Sequence, residues 1–192
     1  MPEGKANKVK FNIKNVHYAL LKETEEGKVT WDAPVKIPGA VSIALDAKGE
    51  ITPFYADGMV YYQTSSNTGY EGDLEMALIP DSFRTDVLME KKDSKGVLIE
   101  NSNVETAKFA LLFEFDGDQK SVRHVLYNCT ATRPSVEGET TEDTKEPTTE
   151  TLSISAAPLA DGNVKAKTGA ETDEVAYTGW YDSVYVSEEA AV

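Results

Sequence analysis

Alternating apolar and polar side chains govern most of this chain. In residues 109–115, FALLFEF, Phe109, Leu111, Phe113 and Phe115 fall on one side of an extended strand, and Ala110, Leu112 and Glu114 on the other, with Asp116 next in register. An Asp-Gly pair at 116–117 and a second β-rich run over 121–132 predict a hairpin, because glycine accepts the positive φ that such turns need. The first side is apolar enough to face a core. The second ends in carboxylates, so the hairpin is expected to run from a packed middle to an acidic edge.

The same period recurs along the chain. Residues 15–21 (NVHYALL) and 28–31 read as strands, and Pro34 and Pro38 confine the VKI between them to an edge or a connection. Val41, Ile43 and Leu45 alternate with Ser42, Ala44 and Asp46, which predicts a strand buried on one face. Residues 49–72 are rich in aromatics (Phe54, Tyr55, Tyr61, Tyr62, Tyr70), and Asp57-Gly58 suits a hairpin turn. The Ser-Ser-Asn-Thr-Gly run at 65–69 reads as a flexible tip. Tyrosines beside such a tip suit a protein–protein surface, and equally a hairpin whose rings cap the core.

Residues 72–79 alternate again. Leu74, Met76 and Leu78 share one side, while Asp73 and Glu75, with Glu71 upstream in register, share the other. Like charges stacked this way belong where water or counter-ions reach them. Residues 80–91, PDSFRTDVLMEK, predict one helix, with Pro80 and Asp81 at its start and Phe83, Val87 and Leu88 as its apolar stripe. Residues 97–99 begin another strand. Residues 134–150 are acidic and rich in Thr and Pro, which predicts a solvated loop. Strands are expected over 151–157 and, aromatic this time, over 177–186. Residues 1–14 read as an N-terminal arm, flexible over 1–8, and 187–192 as a loose tail. The sum is a single, mainly antiparallel β domain, a sandwich or partial barrel with one flanking helix.

Composition narrows what such a domain could do. Asp and Glu number 33 against 19 Lys and Arg, a formal charge of −14, which disfavours nucleic-acid readout through a basic face. Cys129 is the single cysteine, so an intrachain disulfide is excluded, and it is expected to be a small buried side chain. The N-terminus lacks a signal-peptide apolar core, and no run is long enough for a membrane helix, so a soluble protein made in a cytoplasm is expected. His17 and His124 have no metal ligands at the required spacing, and no nucleophile elbow, phosphate loop or dinucleotide fingerprint occurs. Neither an enzyme nor a cofactor is expected.

Several blocks in order, NVHYAL, ITPFYADGMVYY, GYEGDLEMALIPDSF, FALLFEFDGD, RHVLYNCTATRP and EPTTETLSISAAP, together resemble the major tail tube protein of long, non-contractile-tailed bacteriophages of Gram-positive hosts. The resemblance covers residues 15–158 and, more loosely, 164–186. It implies a β-sandwich that self-assembles into hexameric rings, stacked into a tube through which DNA leaves the capsid. It also implies a virion location after assembly in the host cytoplasm, with tape measure, tail terminator and distal tail proteins as partners. By that likeness 80–91 is the flanking helix. The loop bearing Phe54, Tyr55, Tyr61, Tyr62 and Asn67 reaches a neighbouring ring, and the terminal arms bridge neighbours. The immunoglobulin-like domain appended in some relatives is expected to be absent, and the 134–150 loop reads as a variable insertion with no family role. Because a phosphate-binding wall would hold DNA back, Glu71, Asp73 and Glu75 are expected to face the lumen, with Glu114 and Asp116 as a second candidate group. Outer solvent is the competing position for these carboxylates. The competing function is a monomeric extracellular adhesion or carbohydrate-binding module with a shallow aromatic groove. A hydrolase ranks third.

Overall fold

The computed structural model describes residues 6–24, 28–138, 140 and 147–187. In chain order its elements are β1 (Lys10–Glu23), β2 (Val29–Trp31), β3 (Val35–Lys36), β4 (Ala40–Lys48), β5 (Ile51–Ala56), β6 (Met59–Ser65) and β7 (Gly69–Met76). There follow α1 (Asp81–Asp86), β8 (Lys91–Lys92), β9 (Leu98–Ile99), β10 (Phe109–Gly117), β11 (Val122–Ala131), β12 (Glu150–Ala157), β13 (Lys165–Lys167), α2 (Glu174–Thr178) and a 3-10 turn, Gly179–Tyr181. The main sheet is antiparallel, in the order β2-β1-β10-β11-β12-β7-β4, with β3 joined to β1 and β13 to β11. Its far edge, β4, curls back towards β1, so the sheet wraps a core as a partial barrel.

The central hairpin, β10 and β11, is apolar on both faces. Phe109, Leu111 and Phe113 point into the wrapped core with Val16, Tyr18, Leu74, Met76, Leu126, Leu152 and Ile154. Ala110 and Leu112 point the other way, where Val125, Tyr127, Trp180 and Val184 form a second cluster. The C-terminal segment covers the second side as far as Glu114, and that side becomes half-buried only at its acidic end, Asp116. Cys129 is fully buried in the first core, and that burial pushes its thiol up to about 12.

Helix α1 closes one end of the wrapped core. The Phe83 ring meets Tyr18 and Phe109 edge-on at 5.3 and 5.6 Å, and the Tyr18 hydroxyl donates to Asp86 Oδ2 at 2.8 Å. Phe83, Val87 and Leu88 are all buried. The helix is shorter than residues 80–91, however. The Val87 and Leu88 N–H groups share the Phe83 carbonyl, and Met89 turns the chain out at φ 60°. Lys91 and Lys92 then pair as a strand with β9 rather than ending a helix. At the opposite end, a cavity of about 220 Å³ opens between Leu45, Tyr70, Phe113, Phe115 and His124, rimmed by Lys10 and Lys165.

Other boundaries also differ. Residues 10–14, assigned to the arm, belong to β1 and pair with β10. The Asn7 carboxamide fills the space beside Gly117, where a Cβ would lie 2.1 Å from it, and accepts from the Gln119 and Lys120 N–H groups. Gly117 therefore continues the strand, and the hairpin turns over 118–121. Residues 177–186 are not a strand: Asp173 caps α2 through the Val175 and Ala176 N–H groups, and Trp180 from the 3-10 turn and Val184 from the segment after it pack onto the sheet. Val41 is exposed at a β-bulge, while Ile43 and Leu45 pack inward. Leu78, beyond the end of β7, is also exposed. Residues 139 and 141–146 of the acidic 134–150 loop, and the tail from 188, lie outside the described residues.

Truncating the plug, Phe83→Ala, should cost about 3–5 kcal/mol in urea unfolding. A loss below about 1 kcal/mol would show that α1 is an accessory. A second expectation concerns pH. His124 stacks on Phe113 at 5.1 Å, and burial first, then Lys167, Lys165 and Lys10, lower it from 6.5 to about 4. The folded state keeps this ring neutral while the unfolded chain protonates it, so stability should fall as pH drops from 6.5 towards 4. His124→Phe should flatten the upper part of that decline in unfolding curves between about pH 7 and 5, above the carboxylate range.

Candidate functional site

The outer face of β4, β7 and β12 carries a row of three acidic side chains. Glu71, Asp73 and Glu75 project from the same side of β7, while Tyr70, Leu74 and Met76 point into the core. Register places Asp46 and Ser155 beside Glu71, Ala44 and Ser153 beside Asp73, and Ser42 and Thr151 beside Glu75. The row is thus an acidic strand between two strands rich in small and hydroxyl side chains. Gly72, at φ 153°, makes this packing possible, since a Cβ there would lie 2.0 Å from the Ala44 carbonyl oxygen.

Hydroxyls hold two of the three carboxylates. Ser153 Oγ donates to Asp73 Oδ1 at 2.7 Å, Ser42 Oγ to Glu75 Oε2 at 2.8 Å, and Thr149 Oγ1 to Glu75 Oε1 at 2.7 Å. Such bonds orient a carboxylate without cancelling its charge. They stabilise the ionised form, and Thr149, then Ser42, hold Glu75 below the usual carboxylate range. Among the described residues the one salt bridge to the row is Lys48 to Glu71. A shallow depression along the face is lined by Glu71, Asp73, Thr130, Thr132, Ser153 and Ser155.

Glu114 is built differently. Only 6% exposed, it receives Arg123 Nε at 3.1 Å, Asn15 Nδ2 at 2.8 Å and the Tyr181 hydroxyl at 3.3 Å. Asn15 reaches it from a bulge in β1, at φ 49°. The Arg123 guanidinium also donates to the Tyr177 carbonyl and lies 3.9 Å from the Tyr177 ring centroid. Glu114 is therefore a buried clasp for the C-terminal segment and presents no charge to solvent in this chain. Asp116, farther out, pairs with Lys14 at 2.5 Å, which lowers its pKa.

The second exposed feature is the β5–β6 hairpin. Asp57 at φ 53° and Gly58 at φ 77° form its turn, and both strands are exposed throughout apart from the half-buried Ala56. Phe54 pairs with Tyr62 across the ladder, and Tyr55 and Tyr61 also stand in solvent, Tyr61 at 71% exposure. These rings do not cap the core. Residues 65–69 are not the tip but the return at the base. There Ser66 and Thr68 bond the Glu50 and Lys48 carbonyls, and Asn67 Oδ1 accepts from the Gly69 N–H.

No cluster of His, Cys, Asp or Glu able to hold a metal ion occurs among the described residues. The two surfaces suit contact and assembly rather than catalysis. A family model described as phage tail tube protein matches residues 4–188, spanning every strand, the projecting hairpin and the C-terminal segment. The chain belongs to the phage tail tube protein family. No curated protein sequence matches it. Membership makes the chain a structural, non-enzymatic component of a phage tail, a part of its tube.

Sequence periodicity located the acidic row of this tail tube protein but not the hydroxyls that hold it. Ser42 and Ser153 come from β4 and β12, and only the strand order brings them alongside. Thr149→Val should therefore raise the Glu75 pKa towards its ordinary value in a side-chain NMR titration. An unchanged Glu75 curve would show that this hydroxyl does not set its ionisation.

Proposed function

We propose that this tail tube protein assembles into hexameric rings that stack into the tail tube, with the outer face of β4, β7 and β12 turned to the lumen as the wall along which DNA leaves the capsid. The observation that carries this reading is the Glu71, Asp73 and Glu75 row, ionised and held largely by hydroxyls on an open sheet face. Duplex DNA carries about one negative charge per 1.7 Å of axis, and each Lys or Arg contact to a phosphate releases counter-ions and adds affinity. A wall of carboxylates compensated only by Lys48 at Glu71 keeps that term unfavourable along the path. The clasped Glu114 and the paired Asp116 contribute less to such a wall.

The sheet also ends in two strands, β2 and β4, with an open edge each among the described residues. Edges of this kind invite pairing with another chain, and closure around a ring removes the hazard. The projecting aromatic hairpin, with Phe54, Tyr55, Tyr61 and Tyr62, is the inter-ring contact in this reading, with Asn67 fixing its base. Its rings stand on an extended hairpin rather than in a groove, which disfavours carbohydrate binding by a monomer. Tape measure, tail terminator and distal tail proteins are the expected partners within the virion, after assembly in the host cytoplasm.

Particles carrying Glu71→Lys, Asp73→Lys and Glu75→Lys together test the wall. Tubes should still form, but DNA release triggered in vitro should slow by about tenfold or more at low salt and recover as salt rises. Release at the wild-type rate at every salt concentration would remove these residues from the lumen.

A further inference from the structure

The aromatic hairpin needs a seat on the next copy, and the fold offers one at its other end. The hairpin joins β7 at Gly69, whereas α1 and the small β8–β9 ribbon follow from Met76, seven residues on, about 23 Å away along the strand. On the ribbon, Val97 and Ile99 are two apart and so share a face, 55% and 51% exposed, and Ile99 pairs across the ladder with Lys91. Met89, just before the ribbon, is exposed as well. The ribbon is thus an apolar patch edged by cations. Lys92 is engaged by Asp81, and Asp93 is folded into its turn through the Lys95 and Val97 N–H groups. Lys91 and Lys95 have no carboxylate partner among the described residues, and neither does the hairpin's one charged side chain, Asp57, have a cationic one.

We infer that the β8–β9 ribbon of one copy receives the β5–β6 hairpin of the next, Phe54 and Tyr62 lying against Val97 and Ile99 while Asp57 meets Lys91 and Lys95. This rests on the tube reading above and identifies the acceptor within it. Three features support it. Both surfaces are apolar and exposed, their unpaired charges are opposite, and ammonium groups beside aromatic faces add cation–π attraction. The two patches also differ and sit at opposite ends of β7. A contact between unlike patches can propagate from copy to copy, as an open-ended stack requires, whereas a self-complementary patch would stop at a pair.

The test is disulfide capture in assembled protein carrying both Asp57→Cys and Lys95→Cys, the buried Cys129 left in place. Mild oxidation should yield a ladder of covalent oligomers beyond the dimer on non-reducing gels. A mixture of the two single variants should stop at dimers. Tubes that form and give no ladder, or the double variant giving only dimers, would overturn this contact while leaving the tube standing. If the unmodified protein forms no tubes under any condition, both readings fall. As a second measurement, Lys91→Glu with Lys95→Glu should raise the concentration needed for assembly at low salt by about tenfold or more, and adding Asp57→Lys should restore most of it. Failure of the charge swap to restore assembly would count against the pairing even if each variant folds normally.

Discussion

Burial of β10 on both faces is the constraint on which the rest of this molecule depends. Phe109, Leu111 and Phe113 fill the wrapped core, and Ala110 and Leu112 support the second cluster under Trp180. A strand buried on both faces must have something covering each. On one side the sheet itself supplies the cover by curling, so that β4, β7 and β12 lie over β1 and β10. On the other, a short helix and a 3-10 turn supply it. The outer face of the curled half is then the remaining broad surface of the sheet, and it is the face that carries the acidic row. The position of the charge follows from which side of each half-sheet has been used up in packing.

This layering explains why two acidic positions with the same sequence pattern meet different fates. Glu75 and Glu114 both alternate with large apolar residues in a strand. Glu75 faces outward because, among the described residues, no element packs over that side of β7. Glu114 faces the C-terminal segment, where an exposed carboxylate would be costly to desolvate without a partner. Arg123, Asn15 and Tyr181 supply three hydrogen bonds to it. The cover lies about 65 residues away in sequence, so alternation alone could not distinguish the two. The same limit applies at residues 177–186, where aromatic density suggested a strand. Asp173, an N-cap residue type followed by Glu174 in the first turn, was the signal for a helix start.

Short-range chemistry was more legible. Asp57-Gly58 specified its own turn because both residues accept positive φ, and among the described residues β5 and β6 pair only with each other. Asp116-Gly117 has the same dipeptide and does not turn there. The Asn7 side chain packs against Gly117 and bonds the backbone beyond it, so a tertiary contact moved the turn. The end of α1 was misplaced for a similar reason. Lys91 and Lys92 have the composition of a helix C-terminus, but burial of both Val87 and Leu88 in the core directs the chain away before they are reached. Local rules held where nothing distant contradicted them.

In the proposed tube, the means by which the wall carboxylates are held matters as much as their number. A row of like charges along one strand is unfavourable, and the common remedy is an opposing Lys or Arg. That remedy would place cations on a DNA path, where each adds attraction for phosphate. Ser42, Thr149 and Ser153 provide another solution: their hydroxyls fix the rotamers of Glu75 and Asp73 and favour the ionised form without adding charge. The carboxylates remain negative, ordered and unable to swing towards a passing counter-charge. Lys48 at Glu71 is the exception, and it stands where β4 gives way to the projecting hairpin, at the end of the row rather than in its middle. The pattern is that of a surface that sheds a polyanion and leaves pairing to its margins.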